Sequence, residues 1–254
     1  MGGHSHWAGI KHKKAANDAK KGKIYTKLIR EITIAAKLGG GDPDKNPRLR
    51  KAIEDAKEVN MPMENVKRAI MRGTGQIPGA TYEEVVYEGY GPSGIAVMIE
   101  ATTDNKNRTF NELRVILEKH GGNMGTNGCV SWIFERKGYI TINKQDINED
   151  EIFNIAIECG ADDIKNEPDN DVYEIFTSPE TFEDVRKKLF EKKLNLQTAE
   201  ITMIPKNEVK VEDEEKAKSI IAMMDELENH DDVKNVYSNF DIPSQILDKL
   251  IKWI

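Results

Sequence analysis

Residues 138–178 read "GYITINKQDINEDEIFNIAIECGADDIKNEPDNDVYEIFTS". The pattern predicts a strand over 138–142, a helix over 150–159 and a strand pair over 161–178. A second helix over 179–193 and a last strand over 198–205 complete a βαββαβ order, which is the ferredoxin-like plan. Upstream, "YEEVVYEGY" (82–90) and "GIAVMIEAT" (94–102) read as strands joined by the turn "GPSG". A helix follows in "NKNRTFNELRVILEKHG" (105–121), with Phe110, Leu113, Ile116 and Leu117 on one face, and "GCVSWIFE" (128–135) reads as a third strand. Downstream, a helix over 213–227 and a strand in "VKNVYSNFDI" (233–242) can complete the sheet begun at Tyr82. The 138–206 block then sits as an insertion within that sheet.

The first 80 residues follow another period. Ile24, Leu28, Ile32 and Ala35, flanked by Tyr25, Ile29 and Ala36, give helical spacing up to Leu38, where "GGGDP" stops it. Asn46 and Pro47 open a second helix as cap and first-turn residue, with Leu49, Ala52, Ile53 and Ala56 apolar. A third helix after Pro62 turns Val66, Ala69 and Ile70 inward and stops at Gly73. Short amphipathic helices of this kind cover one another's apolar faces. The expected fold is therefore multidomain α+β: an N-terminal three-helix bundle followed by two ferredoxin-like α+β domains, one inserted into the other. The expected boundaries are 1–80 for the basic arm and bundle, 81–136 with 207–242 for the discontinuous domain, and 137–206 for the insert. Residues 243–254, "PSQILDKLIKWI", form a C-terminal amphipathic tail.

At 254 residues the chain buries roughly 70–75 % of its extended surface and needs no staple to fold. Cys129 and Cys159 are far apart and lack CxxC spacing, which fits a reducing compartment. No apolar run approaches a membrane span and no apolar stretch follows the basic start, so a cytoplasmic protein is expected. The net charge of −7 conceals a division. Residues 1–80 hold 17 Lys/Arg against 8 Asp/Glu, whereas 81–254 hold 20 against 36. A basic part on an acidic remainder points to a polyanionic partner for the basic part.

Five segments together carry a family resemblance: "GHSHWAGIKHKKAANDAKKGKIYTKLIREI", "GGGDPDKNPRLRKAIEDAKEVNMP", "RAIMRGTG", "YEGYGPSGIAVMIEATTDNKNRT" and "KHGGNMGTNGCVSWIFERKG". They closely resemble the YebC/PmpR family, which includes the mitochondrial translational activator of cytochrome c oxidase. The resemblance runs from Gly3 to about Pro243. It implies three domains, a helical bundle and two α+β domains with one inserted in the other, and a role in controlling gene expression as a DNA-binding regulator or a translation factor. The chain carries His6 where the family usually has lysine, and Gly9 where it usually has asparagine.

The basic arm is the leading candidate for contact with a partner. Lys11, Lys13, Lys14, Lys20, Lys21, Lys23 and Lys27 face only one acid, Asp18, across residues 2–27. Each can neutralise a phosphate and release a counterion. Trp7 and His12 can stack on unpaired bases. Arg30 continues the set, and Arg48 and Arg50 stand at a helix start where backbone N–H groups also favour anions. Lys51, Lys57, Lys67, Arg68 and Arg72 are further bundle cations, and the alternative for all of them is a solvated surface with pairs such as Glu64–Arg68. In "TTDNKNRT", Asp104 or Asn105 can simply cap a helix. The functional alternative joins Asp104, Asn105, Arg108 and Thr109 to Asn123 in the glycine-rich "HGGNMGTNG" as a polar recognition surface.

Enzyme signatures are missing from the sequence. "GTGQIPG" and "GGGDPDK" fit no phosphate or dinucleotide loop, and neither GxSxG nor HExxH occurs. No cofactor is implied. His4, His6 and His12 lack the closed spacing of a structural metal site. The expected function is a non-enzymatic nucleic-acid-binding regulator whose partner is ribosomal RNA or tRNA, with the ribosome itself a candidate, or else promoter DNA. A lysine-rich, glycine-broken arm with one aromatic suits an irregular RNA crevice better than a duplex groove. A protein-binding adaptor is the rival from another class.

Overall fold

The computed structural model describes residues 19–168 and 171–251. They divide into two compact units, 19–129 with 219–236 and 130–218 with 237–251. Among the described residues no helix is long and apolar enough to cross a membrane.

The first unit opens with three helices, α1 (Ala19–Gly39), α2 (Pro47–Glu58) and α3 (Met63–Gly73). α1 extends ahead of the apolar stripe that starts at Ile24, through alanine and lysine, which propagate a helix without needing a core contact. The core is built from small residues: Ala35, Ala36, Ala52, Ala56 and Ala69 pack with Ile32, Leu49, Met61 and Val66. Alanine contacts bring the helices close, and at Gly73 a Cβ would stand 2.3 Å from the carbonyl oxygen of Thr33. Asn46 serves both sides of the α1–α2 turn. Its Oδ1 accepts from the Leu49 amide, while its Nδ2 donates to the carbonyls of Ala35 and Gly40. Tyr25 closes the other end by donating to the Asn60 carbonyl at 2.9 Å.

A four-stranded sheet completes the first unit, in the order β3-β1-β2-β9, from β1 (Glu83–Tyr90), β2 (Ala96–Thr103), β3 (Asn123–Met124) and β9 (Val233–Ser238). α4 (Lys106–Lys119) follows β2 and buries Thr109, Leu113, Ile116 and Leu117. The β1–β2 hairpin pairs Glu83 with Thr103 through Tyr90 with Ala96. Its turn places Ser93 and Gly94 at positive φ.

The second unit holds the sheet β5-β6-β4-β7, made of β4 (Phe134–Asn143), β5 (Asp163–Lys165), β6 (Val172–Thr177) and β7 (Leu196–Pro205). Its strand pairs are antiparallel. α5 (Glu149–Cys159) and α6 (Phe182–Glu191) supply Ile152, Ala156, Val185 and Leu189 to a core with Ile140, Ile142 and Ile175. This is the βαββαβ order expected from the sequence, with the spatial order of a ferredoxin-like sheet. The β3-β1-β2-β9 sheet is ordered differently: its two central strands, β1 and β2, are consecutive in the chain and paired as a hairpin, so it lacks the strand order expected of a second ferredoxin-like domain.

The expected third strand at 128–135 needs correction. Ser131–Ile133 is a turn of 3-10 helix, and β4 runs unbroken from Phe134. Val130 and Ile133 are buried while Ser131 and Trp132 are exposed, a period no strand can follow. Gly138 lies inside β4 because a Cβ there would meet Thr177 Oγ1 at 2.1 Å. The sequence reading also missed β8 (Val209–Lys210), which pairs in parallel with β10 (Phe240–Asp241). α7 (Glu214–Glu228) and α8 (Ser244–Ile251) are the remaining helices, and α8 buries Leu247 and Leu250.

Candidate nucleic-acid interface

Trp7, Lys11, His12, Lys13 and Lys14 lie outside the described residues. Lys20 and Lys21 lie in α1, and their side chains also lie outside the description. The cations further along α1 are committed within the first unit. Lys23 donates to the Asn229 carbonyl at 3.2 Å, and Lys27 donates to the Glu228 carbonyl. These carbonyls belong to the end of α7 and the residue after it, where helix carbonyls lack internal partners and the dipole is negative. Arg30 donates to the Asp231 carbonyl, pairs with Asp232 at 2.6 Å and lies over the Tyr82 ring.

Asp232 is 2 % exposed and collects donors from three elements. Besides Arg30 on α1, it receives Arg108 of α4 at 2.7 Å and the hydroxyl of Thr109. The hydroxyl of Thr103, at the end of β2, donates to it at 3.3 Å, and the Asp232 carbonyl accepts from the Thr102 amide. Burial alone would push its carboxyl up, but Thr109, Arg108 and Arg30 outweigh burial and hold it below the usual carboxylate range.

A second node lies alongside. Arg48 makes a two-pronged contact with Glu31, at 2.7 and 3.1 Å, and reaches Glu84 at 2.6 Å. Lys234 joins Glu31 at 3.0 Å. Burial works against the charged form of Glu31, yet Arg48 and Lys234 bring its carboxyl down. Between the nodes runs a cleft of about 180 Å³ lined by Lys27, Arg30, Glu31, Thr102, Asp232 and Lys234. Its mixed charges do not make a phosphate cradle.

The expected recognition surface is thus partly assembled and differently employed. Asn105 caps α4 by accepting from the Arg108 amide at 3.0 Å. Arg108 bridges Asp104 and Asp232, and Thr109 is fully buried against the same carboxylate. Asn123 is exposed in β3, paired with Tyr90, and makes no contact with this network. The glycine-rich loop is explained by close approach to β1: a Cβ on Gly122 would meet the Tyr90 carbonyl at 2.3 Å. Glu88, itself buried, accepts from the Gly128 amide at 2.8 Å and fastens the loop. Arg50 is exposed and donates to the carbonyls of Pro43 and Asp44 in the turn ahead of α2.

Sequence reasoning missed Asp232, Glu31, Glu84 and His230. His230 accepts from the Asp232 amide through Nδ1 and meets Glu112 through Nε2 at 3.0 Å. Glu112, His230 and Asp232 bring three candidate ligand atoms within 4.8 Å of one another. The donor set does not suit a metal, because His230 Nδ1 is already engaged and two guanidiniums hold the Asp232 carboxylate.

These features define a multidomain α+β protein in which a helical bundle is fastened to a sheet by buried ion pairs. The family model for the TACO1/YebC protein N-terminal domain matches residues 5–76, and that for the TACO1/YebC second and third domain matches 82–240. The chain belongs to the TACO1/YebC family. It is 60 % identical over 252 residues to a probable transcriptional regulatory protein of Elusimicrobium minutum, covering 99 % of this chain and all of that one. A protein of Dictyoglomus turgidum with the same name is 56 % identical, over 98 % of this chain and all of its own length. The crystal structure of a conserved hypothetical protein from Aquifex aeolicus superposes with a TM-score of 0.79 at 50 % identity, covering 95 % of this chain and 99 % of that one.

Proposed function

We propose that this protein is a non-enzymatic, cytoplasmic regulator of gene expression that binds RNA at the ribosome as a translation factor. The observation that carries this reading is the division of charge: 17 Lys/Arg against 8 Asp/Glu in residues 1–80, and 20 against 36 in the rest. The basic part meets phosphates, and the acidic remainder is repelled by the same polyanion and orients the molecule. Lys23, Lys27, Arg30 and Arg48 are engaged within the first unit, which supports α1 as a base and favours partner contact by its first residues and the segment ahead of it. Lys11, Lys13, Lys14, Lys20 and Lys21 neutralise phosphates there, while Trp7 and His12 stack on unpaired bases. Asp104, Asn105, Arg108 and Thr109 act as positioning residues that hold α4 and α1 on Asp232.

Promoter DNA is the second reading, favoured by the name "probable transcriptional regulatory protein" that the relatives carry. Co-sedimentation with ribosomes over a salt series, for the intact chain and one lacking residues 1–18, separates the two. The translation reading expects co-sedimentation that disappears on deletion. Undiminished co-sedimentation of the shortened chain contradicts it and favours a protein-binding adaptor. Tight binding to one promoter duplex, with little to random duplex at the same salt, selects the transcriptional reading.

A further inference from the structure

The cations of the bundle are not used alike. Those on α1 and α2 largely pair with neighbours: Arg30 reaches buried Asp232, Arg48 holds Glu31 and Glu84, Lys51 pairs with Asp55 at 2.8 Å, and Arg50 donates to carbonyls. α3 differs. Val66, Ala69 and Ile70 turn inward, and the opposite side carries Lys67, Arg68, Met71 and Arg72. Lys67 and Arg72 are exposed and form no ion pair with any described residue. Arg68 has only a 3.9 Å approach to Glu64, which is itself 74 % exposed. Met71 lies between Lys67 and Arg68 on the helical wheel and is 38 % exposed, and Met63, one turn ahead of Lys67, is 46 % exposed.

Resting on the proposed RNA-binding function, we infer that the outer face of α3 is a docking surface for a single-stranded RNA segment. Arg68 and Arg72 stand one turn apart, about 6 Å along the axis, with Lys67 beside them, so three charges follow one backbone. The aliphatic stem of Arg72 is steadied by the chain at Gly79, where a Cβ would lie 3.1 Å from Arg72 Cγ and Cδ. The charge calls for phosphate. The methionines decide which kind of nucleic acid, since an exposed thioether gains by packing on an unstacked base. On the outside of a duplex only sugar and phosphate are presented, and Met63 and Met71 find no apolar face.

The test uses the full chain, an unstructured fluorescent 20-mer of uridine RNA, and a duplex DNA of the same length. The variants are Lys67→Glu/Arg68→Glu/Arg72→Glu, the milder triple change to Gln, Met63→Gln/Met71→Gln, and deletion of residues 1–18. Each of the three phosphate contacts on a single strand is worth about 0.7 in the slope of log affinity against log salt. The triple Glu variant is therefore expected to lose at least tenfold in RNA affinity and to flatten the slope by about 2. The Met pair should weaken RNA binding severalfold at unchanged slope and leave duplex binding untouched. The Gln triple keeps the test valid should the Glu triple unfold, which circular dichroism reports. Unchanged slope and affinity in both triples, with binding lost on deletion of 1–18, overturns the α3 surface and leaves the RNA reading standing. Full binding by every variant defeats both. A silent Met pair with equal losses on RNA and duplex replaces the single-stranded partner by duplex phosphate.

Discussion

Asp232 bears more of the first unit than any residue the sequence singled out. Two guanidiniums and two hydroxyls converge on a carboxylate that is 2 % exposed. Removing one member of a buried ion pair leaves the others uncompensated, so Asp232→Ala is expected to cost about 3 kcal/mol or more in urea unfolding. Because its folded pKa lies below the unfolded value near 4, its contribution is present above that pH and is lost as pH falls through the folded value. Glu174 in the second unit has the opposite sign. Burial pushes it up to about 6, more than the Tyr139 hydroxyl at 2.6 Å and Lys165 pull it down. A carboxyl with a raised folded pKa costs nothing below about 4 and costs most above 6. Glu174→Gln should therefore stabilise the protein by about 2 kcal/mol at pH 7.5 and by little at pH 4, measured by thermal unfolding at both pH values. Equal effects at the two pH values contradict the assignment.

Asn46 shows how a single cap can join two helices. It accepts from the Leu49 amide and donates to Ala35 and Gly40, all near 3 Å, at 5 % exposure. Asn46→Ala should cost about 2 kcal/mol, the upper end for a cap, and a loss under 0.5 kcal/mol by urea titration would show the donors to be redundant. Elements of this kind were legible in sequence because a cap, a proline and a helical stripe are local. The βαββαβ block was legible for the same reason. β4 was divided in the sequence reading, its first residues assigned to a strand over 128–135 and the rest begun at Gly138, whereas Gly138 lies within one continuous strand where Thr177 and Phe182 leave no room for a side chain. β3, β8 and β10 are two residues each and carry no periodic signal. The polar nodes were hidden by distance along the chain: Asp232 lies 124 residues from Arg108, and nothing in "HDDVKN" marks it. The lysines at 23 and 27 were read as cations, and only the fold reveals which carbonyls they serve.

The division of charge makes the chain as a whole behave as a cationic leader on an anionic body, with a net charge of −7. The two polar nodes hold α1 in place, since it is tied to β9 and α2 through Glu31 and to α4 through Asp232. The most direct measurement is the affinity of the full chain for single-stranded RNA between low and physiological salt, with Lys11, Lys13, Lys14, Lys20 and Lys21 intact or changed to Glu. The intact chain should show log affinity falling against log salt with a slope of roughly −5 to −6, at about 0.7 for each of the five leader lysines and the three α3 cations. The charge-reversed chain should lose most of that slope and at least a hundredfold in affinity at low salt. Identical affinity and slope for both chains would contradict phosphate contact by the basic leader.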